Sequence, residues 1–357
     1  MTVAAVLIAI AAVATFELDT SSDGHSATTA SLTAAKAFLR TYVKHDGRVT
    51  RPGNDDDTVS EGQSYGLLLA EVAHRPATFA QIWRWTASHL QQPDGLLAWH
   101  ANSSGAVLSK TPATDADVLT AWALSRASGP GSSEYHAQAR RMASAILANE
   151  TIKKGPLLLA AGPWGTGSPG SLDPSYWSPL AFDGLAKFTG DSRWTALARS
   201  SSVYIRALTA NGSLLPPDWA RLDGNNATAE PAPNGSVPQT QYGLDAQRVV
   251  LWMASSCAAS DRKLAAKWWP LLSPKGRAAA IALGTKGNVI DTSSNALTYV
   301  AAAAAARAAG DDDAMNGLLA KARAAQAQAP NYYGGAWVAL GEALLTTKAL
   351  GSCAGQE

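Results

Sequence analysis

The chain has 357 residues, 16% of them charged, and a formal net charge of +1 at pH 7. It is long enough for one large helical barrel, and no composition shift divides it. Near-neutral charge without a basic stripe argues against nucleic acid as a partner. Twelve Trp against five Phe is an unusual ratio. Flat rings with a polar handle suit either helix packing or stacking on sugars.

Residues 1–16 form an uncharged apolar run, of the length of a signal core and short for a membrane span. Polar Ser/Thr/Asp/Gly sequence follows it. The expectation is an export signal or anchor with a linker over 1–25 and a catalytic domain over 26–357. The protein would then be exported: secreted, periplasmic or anchored at the outer face. Cys257 and Cys353, the only cysteines, have no metal-site spacing. In an exported protein they could pair.

From residue 29 onward helix-period stretches alternate with Gly/Pro/Asn/Ser punctuation, and no segment sustains strand alternation. Helices are predicted at 29–43, 61–74, 78–91, 115–127, 133–149, 174–188, 191–209, 241–257, 261–273, 294–309, 311–328 and 332–347. Ser60, Thr114, Asp173 and Ser294 read as cap positions. The class is all-α, and six consecutive pairs suggest a closed ring of hairpins, an (α/α)6 toroid. The even helices are richer in apolar and small residues and form the expected inner set. Their starts carry Glu61, Asp115, Tyr176, Asp245, Tyr299 and Tyr332, which would collect at one end. Residues 93–112, 155–173 and 214–241 would form the rim of that end.

Three segments carry chemistry. Ser60-Glu61-Gly62-Gln63-Ser64-Tyr65-Gly66 opens the second helix, Ala113-Thr114-Asp115-Ala116-Asp117 the fourth, and Tyr242-Gly243-Leu244-Asp245-Ala246-Gln247-Arg248 the eighth. A capping role explains one first-turn acid. It does not explain three acids converging on one cavity. Trp99, Trp164, Trp177 and Trp219 fall in rim segments or at a helix start, where a pyranose face could stack. Trp83, Trp85 and Trp122 have core-like spacing. No histidine spacing suggests a metal, and no phosphate loop appears.

Together these segments resemble the family 8 glycoside hydrolases. The likeness extends to Asp46-Gly47-Arg48-Val49, Ile82-Trp83-Arg84-Trp85-Thr86, Leu97-Ala98-Trp99, Asp173-Pro174-Ser175-Tyr176-Trp177, Leu215-Pro216-Pro217-Asp218-Trp219 and Asn331-Tyr332-Tyr333, covering nearly the whole chain after the apolar start. Within the family it is strongest toward the secreted cellulases that accompany bacterial cellulose synthase. The resemblance implies a six-hairpin α/α barrel and inverting, endo-acting hydrolysis of a β-1,4-glucan. It implies Glu61 as general acid, Asp245 as general base, and Asp115 as the carboxylate that holds the sugar at the cleavage point. Tyr65, Trp99, Tyr176, Trp177, Trp219, Tyr242, Arg248 and Tyr332 are the expected substrate-binding residues, with Arg248 and Tyr242 orienting Asp245 or the water.

No cofactor or metal is expected, since acetal hydrolysis needs only carboxyls and water. The expected partner is a β-linked polysaccharide, with functional association to a cellulose or exopolysaccharide synthase, and the expected state is a monomer. Alternatives are a relative acting on chitosan, xylan or another exopolysaccharide, and a non-catalytic carbohydrate-binding protein. Asp117 reads as a cap or supporting group. Leu244 stands where relatives often have Tyr, so the hydroxyl near the base could come from Tyr176. Glu230, in the Pro/Ala/Asn-rich loop 223–241, is the competing base.

Overall fold

The computed structural model describes residues 21–350 except 130, together with Cys353. The apolar run 1–16 lies outside the described residues. No helix among those described is long and apolar enough to cross a membrane.

Helices with small and apolar residues on every face must be surrounded by protein. Five of the six even-numbered helices show this: α2 (Ser60–Val72), α4 (Thr114–Arg126), α8 (Leu244–Ala254), α11 (Ala296–Ala308) and α13 (Tyr332–Thr346) are buried along nearly their whole length. With α6 (Pro179–Thr189) they form a closed inner ring, each touching the next from α2 through α4, α6, α8, α11 and α13 back to α2. The alanines at 301–306 are fully buried on α11. Side chains this small allow close helix approach at the centre of the ring.

Around them lie α1 (Ser21–Tyr42), α3 (Pro76–His89), α5 (Ser132–Asn149), α7 (Ser192–Leu208), the pair α9 (Ala259–Ala266) and α10 (Trp269–Leu272), and α12 (Asp312–Gln328). Each outer helix bears polar residues on one face and packs its other face on an inner partner. The fold is the (α/α)6 barrel expected from the sequence.

Three local differences have physical causes. The helix predicted at 174–188 is split: Pro174–Tyr176 is a single 3-10 turn, and α6 starts only at Pro179. Pro fits a first turn but supplies no N–H to a preceding one, so each proline here opens a new element. The ninth helix is interrupted before Pro270 for the same reason. The rim, read as irregular, holds short antiparallel strands in three sheets: β1 (Thr58–Val59), β2 (His100–Ala101) and β3 (Val107–Ser109); β4 (Gly170–Leu172), β5 (Trp219–Asp223) and β6 (Asn226–Glu230); β7 (Ala282–Leu283) and β8 (Val289–Asp291). Strands of two to five residues are too short to print an alternating pattern.

Cys257 and Cys353 form a disulfide with Cα atoms 5.1 Å apart. Cys353 lines a cavity with residues from the C-terminal ends of α8, α11 and α13, at the opposite end from the starts of those three helices.

Candidate active site

Parallel inner helices bring their N-termini to one end of the barrel, where free amides and dipoles favour acidic groups. Glu61, Asp115 and Asp245 each lie in the first turn of an inner helix. None of these three helices has a side-chain cap of its own. Ser60 and Thr114, expected as caps, instead bury hydroxyls that accept no amide hydrogen, and Asn295 rather than Ser294 caps α11. Asp173 does cap, accepting from the Ser175 amide at 2.9 Å.

The buried Arg248 organises the cluster. Its Nη1 donates to Asp115 Oδ2 at 2.9 Å, to Tyr65 OH at 3.3 Å and to Glu61 Oε2 at 3.4 Å. Its Nη2 donates to Ser175 Oγ at 2.6 Å and to Asp245 Oδ1 at 2.9 Å, with Asp173 Oδ2 at 3.8 Å. The guanidinium also lies 5.4 Å from the Tyr176 ring centre. One cation thus faces four carboxyls. Four ionised carboxyls would outnumber the one cation, and Asp115 and Asp173 are almost wholly buried, so burial favours proton retention in the cluster.

Burial raises Glu61 to about 7; Asp115 and Asp245 push the same way, against the opposing charge of Arg248 and the hydrogen bond from Tyr332. Burial, then the charge of Asp245, holds Asp173 well above the usual carboxylate range. Asp115 is raised by burial, countered by Arg248 and the Ala116 amide.

Glu61 and Asp245 open on a cleft of ≈ 690 Å³, lined also by Arg51, Asn54, Asn331 and Tyr333. Tyr332 OH donates to Glu61 Oε1 at 3.2 Å. Gly62 makes room for that hydroxyl, since a Cβ there would lie 2.7 Å from it. Because one planar guanidinium bridges Glu61 and Asp245, their bonded oxygens are within about 9 Å of each other. Inverting glycosidases need roughly 6.5 to 9.5 Å between acid and base.

The remaining predicted residues divide. Tyr176 and Tyr332 join the carboxyl cluster. Trp99 is 37% exposed, Trp164 51%, and Trp164 pairs with the part-buried Trp219 at 6.4 Å, leaving aromatic faces at the rim. Tyr65 is fully buried and reaches the site only through Arg248. Trp177 and Tyr242 are corrections. Trp177 is fully buried with its Nε1 donating to Leu159 O, and Tyr242 is buried against the strand at Leu283. Neither offers a face to a ligand, because both precede their helices in segments that run down into the core. Tyr299 stays outside the hydrogen-bonded cluster. Glu230 ends β6 opposite Trp219, in an ordered hairpin, and makes no bond to the cluster.

Sequence reading missed several groups. Arg51 binds Asp57 through Nε at 2.7 Å and Nη2 at 2.5 Å, and His100 Nε2 meets Asp57 Oδ2 at 2.8 Å. This chain ties the cleft at Arg51 to the ring of Trp99, which packs on His100 at 4.6 Å. Ser175, Asp173 and Asp218 lie in the segments 173–177 and 215–219, whose local signals point only to a helix cap or to the adjacent Trp. Glu150 had no signal at all. It is fully buried beside Asp117, whose Oδ1 accepts from the Leu97 amide at 2.8 Å.

A proton-holding glutamate and a solvent-facing aspartate at the mouth of an α/α barrel place the molecule among the acid–base carbohydrate-active barrels. The model of one such family, described as Glycosyl hydrolases family 8, matches residues 9–346. The chain belongs to glycosyl hydrolases family 8.

It is similar to "Endoglucanase A" of Acetivibrio thermocellus, 30% identical over 64% of this chain and 50% of the relative. It is also similar to a "Probable endoglucanase" of Novacetimonas hansenii, 33% identical over 60% of this chain and 64% of the relative. The chain thus spans between half and two thirds of these relatives' lengths. The solved endo-beta-1,4-glucanase CMCax of Acetobacter xylinum superposes with a TM-score of 0.72 at 24% identity, covering 88% of this chain and 97% of that one. At that identity the likeness speaks for the fold.

Proposed function

We propose that the protein is an endo-acting, inverting glycoside hydrolase that cleaves β-1,4-glucan of the cellulose type. The observation that carries this reading is the Arg248 cluster, in which four carboxyls share one cation and Glu61 keeps its proton to about 7 at the lip of an open cleft. The relatives bearing endoglucanase names support the substrate class.

In the proposed reaction a glucan chain lies along the cleft, with sugar faces against Trp99 and the Trp164–Trp219 pair. Asp115, fixed by Arg248 and the Ala116 amide, accepts hydrogen bonds from hydroxyls of the sugar at the cleavage point. Glu61 gives its proton to the glycosidic oxygen as the bond from that oxygen to the anomeric carbon breaks. Asp245 takes a proton from the water that bonds to the same carbon from the opposite face, so the anomeric configuration inverts. Tyr176, close to Asp173 and Asp245, supplies the hydroxyl that Leu244 cannot. Tyr332 orients Glu61.

Export belongs to the same reading. A disulfide between Cys257 and Cys353 is at home in an oxidising compartment, which supports it. Action as a monomer beside a cellulose or exopolysaccharide synthase completes the proposal.

The test is reducing-sugar release from carboxymethyl cellulose, chitosan and xylan by wild type and Glu61→Gln, with NMR of the first-formed anomer. Cellulose-type activity that vanishes in the variant and yields the inverted anomer is expected. Release from chitosan or xylan alone would replace the substrate, and retention of configuration would overturn the acid–base pair.

A further inference from the structure

The helix that carries Asp245 begins without a cap of its own: Gly243 occupies the N-cap position and has no side chain. Its first free amides are satisfied from another part of the chain. Asp218, at the foot of β5, accepts from the Gly243 amide at 2.8 Å and from the Ala246 amide at 2.9 Å through Oδ1. Its Oδ2 accepts from Gln241 Nε2 at 3.0 Å, and its own amide donates to Gln241 O at 2.9 Å. The two pinned amides bracket Asp245 on both sides. The fit is close, because a Cβ at Gly243 would stand 2.4 Å from Asp218 Oδ2.

We propose that Asp218 is a positioning residue, a remote cap that fixes the first turn of α8 and thereby the direction in which Asp245 faces the cleft. This rests on Asp245 acting as the base. Asp218 is buried, and both of its carboxyl oxygens are taken up by the Gly243 and Ala246 amides and by Gln241. It nevertheless feels the Asp245 charge, which together with burial, the larger cause, raises its carboxyl to about 7. The neighbouring Trp219 lies in the rim pair with Trp164. One dipeptide therefore ties an aromatic surface for the sugar to the start of the helix bearing the base. Misplacing a reacting group by about 1 Å can cost on the order of 10²-fold in rate, which sets the effect expected when the cap is removed.

The experiment compares Asp218→Ala, Asp218→Asn and Gly243→Ala in the full chain. Asp218→Ala should lower kcat about 100-fold with KM little changed. Asp218→Asn keeps an oxygen for both amides and should restore most of kcat, since Gln241 can turn its amide oxygen to the new donor. Gly243→Ala, which displaces the carboxyl while leaving it in the chain, should reproduce the alanine phenotype and serves if Asp218→Ala does not fold. Hydrogen exchange at Gly243 and Ala246 should accelerate in Asp218→Ala and Gly243→Ala and remain slow in Asp218→Asn.

A folded Asp218→Ala or Gly243→Ala enzyme with wild-type kcat would overturn the proposal, as would a loss confined to KM or an asparagine variant as impaired as alanine. Exchange at 243 and 246 reports the pinning whatever the chemistry. If it accelerates as expected while Asp245→Asn remains fully active, the base assignment fails and the cap stands.

Discussion

Asp115 and Asp117 are two residues apart at the start of α4, yet they belong to two buried carboxyl clusters with different solutions to the same electrostatic problem. Positions i and i+2 point to different sides of a helix. Asp115 meets Arg248, with Glu61, Asp173 and Asp245 around it. Asp117 meets Glu150 with no cation in contact. Burial and then the Glu150 charge hold Asp117 well above the usual range, while burial, reinforced by Asp115, raises Glu150 to about 8. With no cation beside it, the Asp117–Glu150 pair holds protons because burial penalises its charged forms. The Arg248 cluster spreads one positive charge over groups that need different protonation states, and it opens on a cleft. Burial alone thus produces a raised carboxyl. Burial beside a shared cation and an open cleft gives the arrangement on which the proposed acid and base rest.

Removing the chemistry itself should have the largest effect. Glu61→Gln and Asp245→Asn are each expected to lower kcat by roughly 10² to 10⁴ while leaving a cooperative melt. Deleting the cation comes next. Arg248→Met leaves four carboxyls without their cation, and urea unfolding at pH 7 should show a loss of about 3 to 5 kcal/mol, largely regained at acidic pH where the carboxyls are protonated. An equally stable variant at pH 7 would mean the carboxyls were already neutral.

The pH dependence sharpens the contrast further. In the proposed reaction Glu61 must carry its proton, so kcat should fall as pH rises through about 7; full activity retained to pH 9 would contradict the proposed role as acid.

The smallest effect on activity is expected at the cation-free pair. An unfolded glutamate ionises near 4.5, whereas native Glu150 holds its proton to about 8. Over that interval the native state binds more protons, so its contribution to stability is greatest below pH 4.5 and declines as pH rises toward 8. Glu150→Gln should flatten this decline in urea titrations and leave kcat within a few-fold of wild type.

Much of the architecture was legible locally. Helix periodicity, Gly/Pro punctuation and the small-residue stretch 296–306 gave the pairing of helices and the inner set, and Glu61, Asp115 and Asp245 stood out as first-turn acids on buried helices. Local signals failed where proline divided an element, as at Pro174 and Pro179, and where capping was supplied from afar. Ser60 and Thr114 had the right residue types for caps but face the core. Tyr242 and Trp177 had the right neighbours in sequence for a ligand site, yet the chain turns them inward.

The sequence by itself determined that these helices would close into a ring with acids at one mouth, because hydrophobic pattern and first-turn chemistry act over a few residues. Tertiary structure alone decided that Arg248 would bridge Asp115, 133 positions away, and Glu61, 187 positions away, and that Asp218 would cap the helix of Asp245. Such bonds depend on where barrel closure brings distant segments, and the residues that make them carry no local sign of their partners.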